Sequence, residues 1–281
     1  MAIQLLPDPH AFGEAWSARI AAEYEQVERV REWRSEDHYR PIAHQFADNP
    51  HRTDDEILNY LLTLSSPDDS WLDIGAGGGR FALPLALHSR EVIAVEPSGG
   101  MREVMASGAQ EHQVTNLQIV EGRWPDDAGD IQADLSLAAH VGYDLRNING
   151  FIDAQERATR RLCVAVLMDR APSGGFVTLW AQVHGEERHS LPGMREYLTL
   201  LLARGASPEV RLFPRDVKEH DEAHIRADAR RRLWLVEGSE KDQHLQRLLD
   251  DLLPRGFRRF ELPQMLAVIT WAPTVDADAG A

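Results

Sequence analysis

A single cysteine, Cys163, occurs among the 281 residues. No disulfide can therefore form within the chain, and no iron–sulfur cluster held by several thiolates can be built from it. Lysine is almost as scarce: Lys218 and Lys241 are the only two, and arginine carries the remaining positive charge. That bias reads as a base-composition habit of the genome and carries no function. Basic residues are outnumbered 30 to 45, for a net charge of −15, which disfavours a nucleic-acid partner unless a local basic patch offsets it. No apolar run approaches the ~20 residues that span a bilayer, and the first residues lack a basic-then-apolar signal pattern. A cytoplasmic location without a membrane partner is the expectation. No repeat or low-complexity block interrupts the chain. The hydrophobic fraction of 43% is enough for a packed interior, as one elaborated domain or as a core with a smaller cap.

What the chain does have is the stretch Ser70-Trp71-Leu72-Asp73-Ile74-Gly75-Ala76-Gly77-Gly78-Gly79-Arg80-Phe81. It reads as a buried strand over 71–74, a glycine turn, and an apolar helix reaching about His88. Glycines at alternate positions allow a sharp turn and a close approach of backbone to ligand. The N–H groups opening the next helix would face that ligand. Glu96 follows the strand 91–95, about 20 residues on, where an acidic side chain accepts from both hydroxyls of a ribose. A nucleoside-bearing cofactor is implied. The dinucleotide fingerprint asks for a third small residue where helix meets strand, and Arg80 is too large for that place.

The pattern Asp73-x-Gly75-x-Gly77-x-Gly79 resembles motif I of the class I, Rossmann-like S-adenosylmethionine (SAM)-dependent methyltransferases. The resemblance covers about residues 70–170, with a looser match in the strand near the C-terminus. It implies an α/β fold: a doubly wound, mostly parallel seven-stranded sheet with an antiparallel last strand. It also implies SAM as cofactor and S-adenosylhomocysteine (SAH) as product. Gly75, Ala76, Gly77 and Gly79 would pass under the methionine portion, with Asp73 near its ammonium. Glu96 would clamp the ribose, with Pro97 and Met101 beside it. Gly122, Arg123 and Trp124 would edge the adenine, although Arg123 stands where many relatives carry an aspartate. Either a backbone carbonyl replaces that acceptor or apolar contacts hold the ring, and Trp124 either stacks on it or fills core. Ala139 and His140 would border the methionine arm. His140 is the candidate general base, with Tyr143 as second catalytic candidate and Asp144 in reach of either. The alternative for His140 is a backbone contact with a ring that only packs. The family's Asn-Pro-Pro-aromatic signature for amino groups of adenine or glutamine is absent.

Around this core, residues 1–11 read as frayed, with Pro7 and Pro9 opposing an early helix. Phe12, Trp16, Ile20, Tyr24, Val27, Val30 and Trp33 then form one stripe of a long amphipathic helix. A second helix starts near Thr53 and reaches about Leu64. Residues 1–66 are thus an expected N-terminal helical cap, with Tyr39 and Phe46 as lid candidates, and residues 67–273 the catalytic domain. Expected strands cover 116–120, 134–140 and 162–168, and expected helices 101–109 and 151–161. After about residue 170 come additional elements: an apolar stretch 177–183, helices over 195–203, 221–229 and 242–253, and strands over 210–213, 232–236 and 265–271. Residues 274–281 read as a disordered acidic tail. His184 and His189, five apart in a polar turn, do not make a metal pair, and no metal is expected.

The expected activity is methyl transfer to an N, O or C nucleophile of a small molecule by a monomer or homodimer. The rivals are an RNA or protein methyltransferase, in which Arg157, Arg160, Arg161 and Arg230 to Arg232 would supply a basic face, a SAM-binding protein without catalysis, and a nicotinamide-nucleotide oxidoreductase.

Overall fold

The computed structural model describes residues 6–34, 37, 39–127, 129–172, 176–215, 221–255 and 265–274. Among them, seven strands form one sheet in the order β3-β2-β1-β4-β5-β7-β6. The strands are β1 (Ser70–Ile74), β2 (Glu91–Glu96), β3 (Leu117–Glu121), β4 (Ala133–Ala139), β5 (Thr159–Met168), β6 (Glu209–Pro214) and β7 (Met265–Trp271). Six run in one direction, and β7 lies antiparallel between β5 and β6. This is the expected sheet. The near-continuous apolar runs of β1, β4 and β5 follow from burial on both faces. Strand order reverses between β1 and β4, so the crevice at their C-terminal ends is the place where such sheets bind ligands.

Nine helices complete the described residues: α1 (Pro9–Val30), α2 (Glu56–Thr63), α3 (Ala82–Ala86), α4 (Gly99–Glu111), α5 (Ile148–Arg157), α6 (Val177–His184), α7 (Met194–Ala203), α8 (Glu222–Arg232) and α9 (Glu240–Leu252). A 3-10 segment, Arg40–Phe46, packs against α4. One apolar cluster joins Trp16 and Ile20 of α1 to Phe151, Ile152, Tyr197, Leu200 and the sheet. A second sets Leu58 and Leu61 of α2 and Leu85 of α3 on the opposite face. A third stands away from the sheet, where Val27 meets Leu179 and Trp180 of α6, Ala229 of α8 and Leu245 and Leu249 of α9. The additional elements after residue 170 therefore build their own small core on the C-terminal half of α1.

Four details depart from the sequence reading. Residues 1–11 are not all frayed: α1 begins at Pro9, because Asp8 caps it and proline suits a first turn whose N–H needs no partner. Residues 1–5 lie outside the described set. The helix after the glycines is only Ala82–Ala86. Pro84 has no N–H to give the carbonyl of Arg80, and Arg52 donates to that oxygen instead, at 3.0 Å. The strand expected over 232–236 is a helix terminus. Leu235 N donates to Arg230 O and Trp234 N to Arg231 O, with Trp234 at φ 60°, which is the left-handed cap known as a Schellman motif. The alternation of Leu233 and Leu235 mimics a strand, although both are buried in the third core. In the tail, Thr274 is anchored by its hydroxyl to Glu156 at 2.7 Å; residues 275–281 fall outside the described set.

Candidate functional site

The glycine turn is held to the sheet by its own backbone. Gly75 N and Ala76 N both donate to Val95 O, at 2.8 and 3.2 Å. Gly75, Gly77 and Gly79 all take positive φ, at 70°, 56° and 86°, a region that costs any other residue strain. A Cβ on Gly75 would meet Val141 at 2.6 Å, whereas one on Gly77 would meet nothing within 4 Å. The loop is thus pressed against the chain after β4 on one side and leaves open space at Gly77. Arg80, the residue that broke the dinucleotide pattern, projects outward and pairs with Asp55 at 2.9 Å.

Glu96 ends β2 with its carboxylate turned into this loop. One oxygen accepts from Gly77 N and the other from Ser98 N, both at 2.8 Å. Each oxygen keeps capacity for a further donor, as clamping two ribose hydroxyls demands. Asp73 lies behind the loop, 2% exposed. Burial, together with the charge of Glu96, pushes its carboxyl up to about 7, although the amide of Ala82 opposes the shift. Burial also raises Glu96, against the amides of Ser98 and Gly77 and the charge of Arg102, while Asp37 adds repulsion. The cradle therefore concentrates negative charge. A cationic ligand relieves that repulsion; a ligand bearing a pyrophosphate increases it.

Asp37 was not singled out from the sequence, yet it stitches the N-terminal segment to this edge. Its carboxylate accepts from Ser98 Oγ at 2.8 Å, Gly100 N at 3.2 Å, and the amides of Tyr39 and Arg40 at 3.1 Å. Burial works against its charge, but the donors from Gly100, Ser98, Arg40 and Tyr39 hold it below the usual carboxylate range. The 3-10 segment then crosses the glycine turn, with Phe46 O 2.8 Å from the Cβ position of Gly78. Tyr39 and Phe46 meet edge to face, centroids 6.0 Å apart. The Tyr39 hydroxyl is raised by burial and by Asp144, with Glu96 also in electrostatic reach. Both lid candidates thus lie at the cradle. Pro97 is exposed at its rim, and Met101 is buried beneath the start of α4, its amide donating to Ser98 Oγ at 3.2 Å.

The turn after β3 is closed by a second overlooked carboxylate. Asp127 accepts from Arg123 N at 2.9 Å, and its own amide donates to Arg123 O at 3.0 Å. Gly122, at φ 154°, is obligatory because a Cβ there would lie 2.5 Å from Asp127. Trp124 is half-buried against the first core, with no hydrogen-bond partner for its Nε1. The short spacing of Asp127 from Arg123 was the available signal, hidden by its resemblance to an ordinary acidic turn.

Ala139 and His140 lie at the mouth of the crevice. His140 is held at φ 61° by its amide, which donates to Val166 O at 2.8 Å. Its Nδ1 is buried without a hydrogen-bond partner. Burial, then the charges of Arg80 and Arg215, lower the imidazole to about 4. The ring is therefore neutral at physiological pH and can accept a proton. Tyr143, the second catalytic candidate, is placed away from open space. It is 6% exposed, its hydroxyl accepts from Met168 N at 2.7 Å, and burial raises its ionisation well above the ordinary range. It fastens the β4 loop to β5. His184 packs on Trp180 with Nε2 3.0 Å from Leu233 O, and the His189 amide donates to Gln26 Oε1 at 2.8 Å.

With this geometry in place, comparison with known proteins is informative. Residues 72–165 match the family model described as "Methyltransferase domain". An uncharacterised methyltransferase of Bacillus subtilis, YcgJ, is 40% identical over 80 residues, covering 27% of this chain and 31% of YcgJ. Its crystal structure superposes with a TM-score of 0.50 over 76% of this chain and 94% of that one, at 16% identity. The 23S rRNA (uracil(1939)-C(5))-methyltransferase RlmD of Xanthomonas campestris is 33% identical over 93 residues, 32% of this chain and 20% of RlmD. Magnesium protoporphyrin IX methyltransferase (ChlM) from Synechocystis, solved with bound SAH, gives a TM-score of 0.51 over 95% of this chain and 100% of that one, at 11% identity. The chain covers about a third or less of the length of the curated relatives it matches. The family model spans β1 to β5; the structural likeness is one of fold.

Proposed function

We propose that this chain, whose residues 72–165 match the model of a methyltransferase domain, is a class I methyltransferase that moves the methyl group of SAM to a small-molecule acceptor. The observation that carries the proposal is the Glu96 carboxylate bonded to Gly77 N at 2.8 Å across a loop open at Gly77. It puts a divalent acceptor for ribose beside bare backbone. The charge of the cradle favours the same ligand. Asp73, Glu96 and Asp37 stand together there, which suits the cationic SAM and opposes a nicotinamide dinucleotide.

SAM supplies an activated methyl on a sulfonium, so the protein's part is position, exclusion of water and care of a proton. Gly75, Ala76, Gly77 and Gly79 would support the methionine portion, and Glu96 would hold the ribose. Gly122, Arg123 and Trp124 would border the adenine. Residues 37–46 would act as the lid, with Tyr39 over the cradle and Asp37 as its latch. His140 would accept the proton that an amine or hydroxyl acceptor loses, its Nδ1 being free for that bond.

A small molecule fits a chain of net charge −15 better than RNA does, since phosphates are repelled by a surface of that sign. The test measures SAH release from SAM with a panel of amines, phenols and organic acids, in parallel with bulk RNA and protein extracts. Turnover on a member of the small-molecule panel supports the proposal. Methylation restricted to RNA or protein, or SAM binding with no turnover anywhere, would contradict it.

A further inference from the structure

Beyond the cofactor cradle, β5 ends at Met168 and the next residues form one wall of a hollow of about 470 Å³. Its lining contains Arg19 of α1, Arg170 after β5, and Arg188 and Arg195 at the approach to α7 and in its first turn. The lining acids are Asp169 and Glu196. In a chain with fifteen more acids than bases, four arginines around one small hollow run against the composition.

Two of the four are already committed. Arg19 pairs with Glu196 at 3.1 Å and donates to Ser190. Arg188 pairs with Glu23 at 2.9 Å and stacks over Trp180 at 4.5 Å. Glu196 is further occupied by Gly193 N at 2.9 Å, and Asp169 accepts from Met265 N at 3.2 Å. Arg170 and Arg195 are exposed, and their guanidinium groups make no hydrogen bond or ion pair with the described residues. The committed pairs leave the hollow with two guanidinium groups available, and a guanidinium fork matches a carboxylate or phosphate in shape and charge. Arg195 also lies in the first turn of α7, where the helix dipole favours an anion.

The position ties this hollow to the proposed reaction. β5 neighbours β4, whose end carries His140, and the hydroxyl of Tyr143 is fixed to Met168 N, one residue before the wall begins. The hollow thus lies beyond the carboxyl end of β5, the strand beside the one that leads to His140, and its volume is of the size that small ligands occupy. We infer that the acceptor is a small organic anion whose carboxylate or phosphate group is held by Arg170 and Arg195. The inference rests on the methyl-transfer reading for the word acceptor, and on the hollow alone for the anion.

Isothermal titration calorimetry on the full chain with SAH present tests it. Glutarate, benzoate and phenyl phosphate serve as anionic probes, with glutaramide and benzamide as neutral matches. Binding of a carboxylate or of phenyl phosphate, at least tenfold tighter than the amides, is expected, and the two anion types separate the two head groups. The Arg170→Ala/Arg195→Ala variant should lose tenfold or more of that affinity while binding SAH as the wild type does. Equal binding of anions and amides, no anion bound, or an unaltered anion affinity in the double variant would overturn the inference. SAH binding without anion binding removes the anionic acceptor and leaves methyl transfer standing. Anion binding without SAH binding upholds the hollow and removes the methyl-transfer reading.

Discussion

At the level of single residues, two buried carboxylates, Asp73 and Glu96, stand close together at neighbouring strands. Asp73 is neutral or charged depending on conditions near pH 7, because burial and Glu96 push it up to about 7. A cationic ligand favours its ionised form, so binding below that pH must release a proton. SAM affinity is therefore expected to rise between pH 6 and 8 and level off above, with proton release measured by titration in buffers of different ionisation enthalpy. A flat affinity would show that Asp73 does not sense the ligand. His140 is lowered to about 4 and keeps a free Nδ1. His140→Ala should leave SAM affinity within twofold and slow turnover about 10²-fold, the lower end of what a positioned base contributes. An unchanged rate would reduce His140 to packing. The positions of Asp73, the glycines and Glu96 are legible in the sequence because each is fixed by a strand end and a short loop. The anchoring of Tyr143 is not legible for the opposite reason: its partner, Met168 N, is 25 residues away, and no local pattern marks such a contact.

Among the elements, the segment before α2 is the proposed lid of the cradle. Its hold on α4 runs through Asp37, which accepts from Ser98 Oγ and Gly100 N. Asp37→Ala should free the 3-10 segment at a stability cost of about 1 kcal/mol, typical of a lost helix cap. Faster proteolytic cleavage near residues 35–48 and a severalfold weaker SAM affinity are expected. Unaltered cleavage and affinity would refute the latch. The aromatic lid candidates could be guessed from position, but Asp37 could not, since its partners come from sixty residues on. Strands beside long apolar runs were easy to find. The stretch 232–236 was not, because Leu233 and Leu235 alternate like a strand while serving a helix cap in the third core.

For the whole molecule, a sheet in the order β3-β2-β1-β4-β5-β7-β6 gathers every proposed binding group along one edge. Helices α6, α8 and α9 and the C-terminal half of α1 form a cap with its own apolar core. Periodicity announced the individual helices of that cap, but not that α1 serves two cores, a fact of packing. The strand order follows from parallel crossovers that the alternation of strand and helix already required. The central claim concerns a sugar held at Glu96, and calorimetric titration of SAM into the wild type and Glu96→Ala addresses it most directly. Loss of a charged acceptor for two hydroxyls costs on the order of 1.5–3 kcal/mol, so the wild type should bind SAM and the variant at least tenfold more weakly, with the same thermal midpoint to within a few degrees. Equal affinities in the two proteins, or no heat from the wild type, would contradict the account.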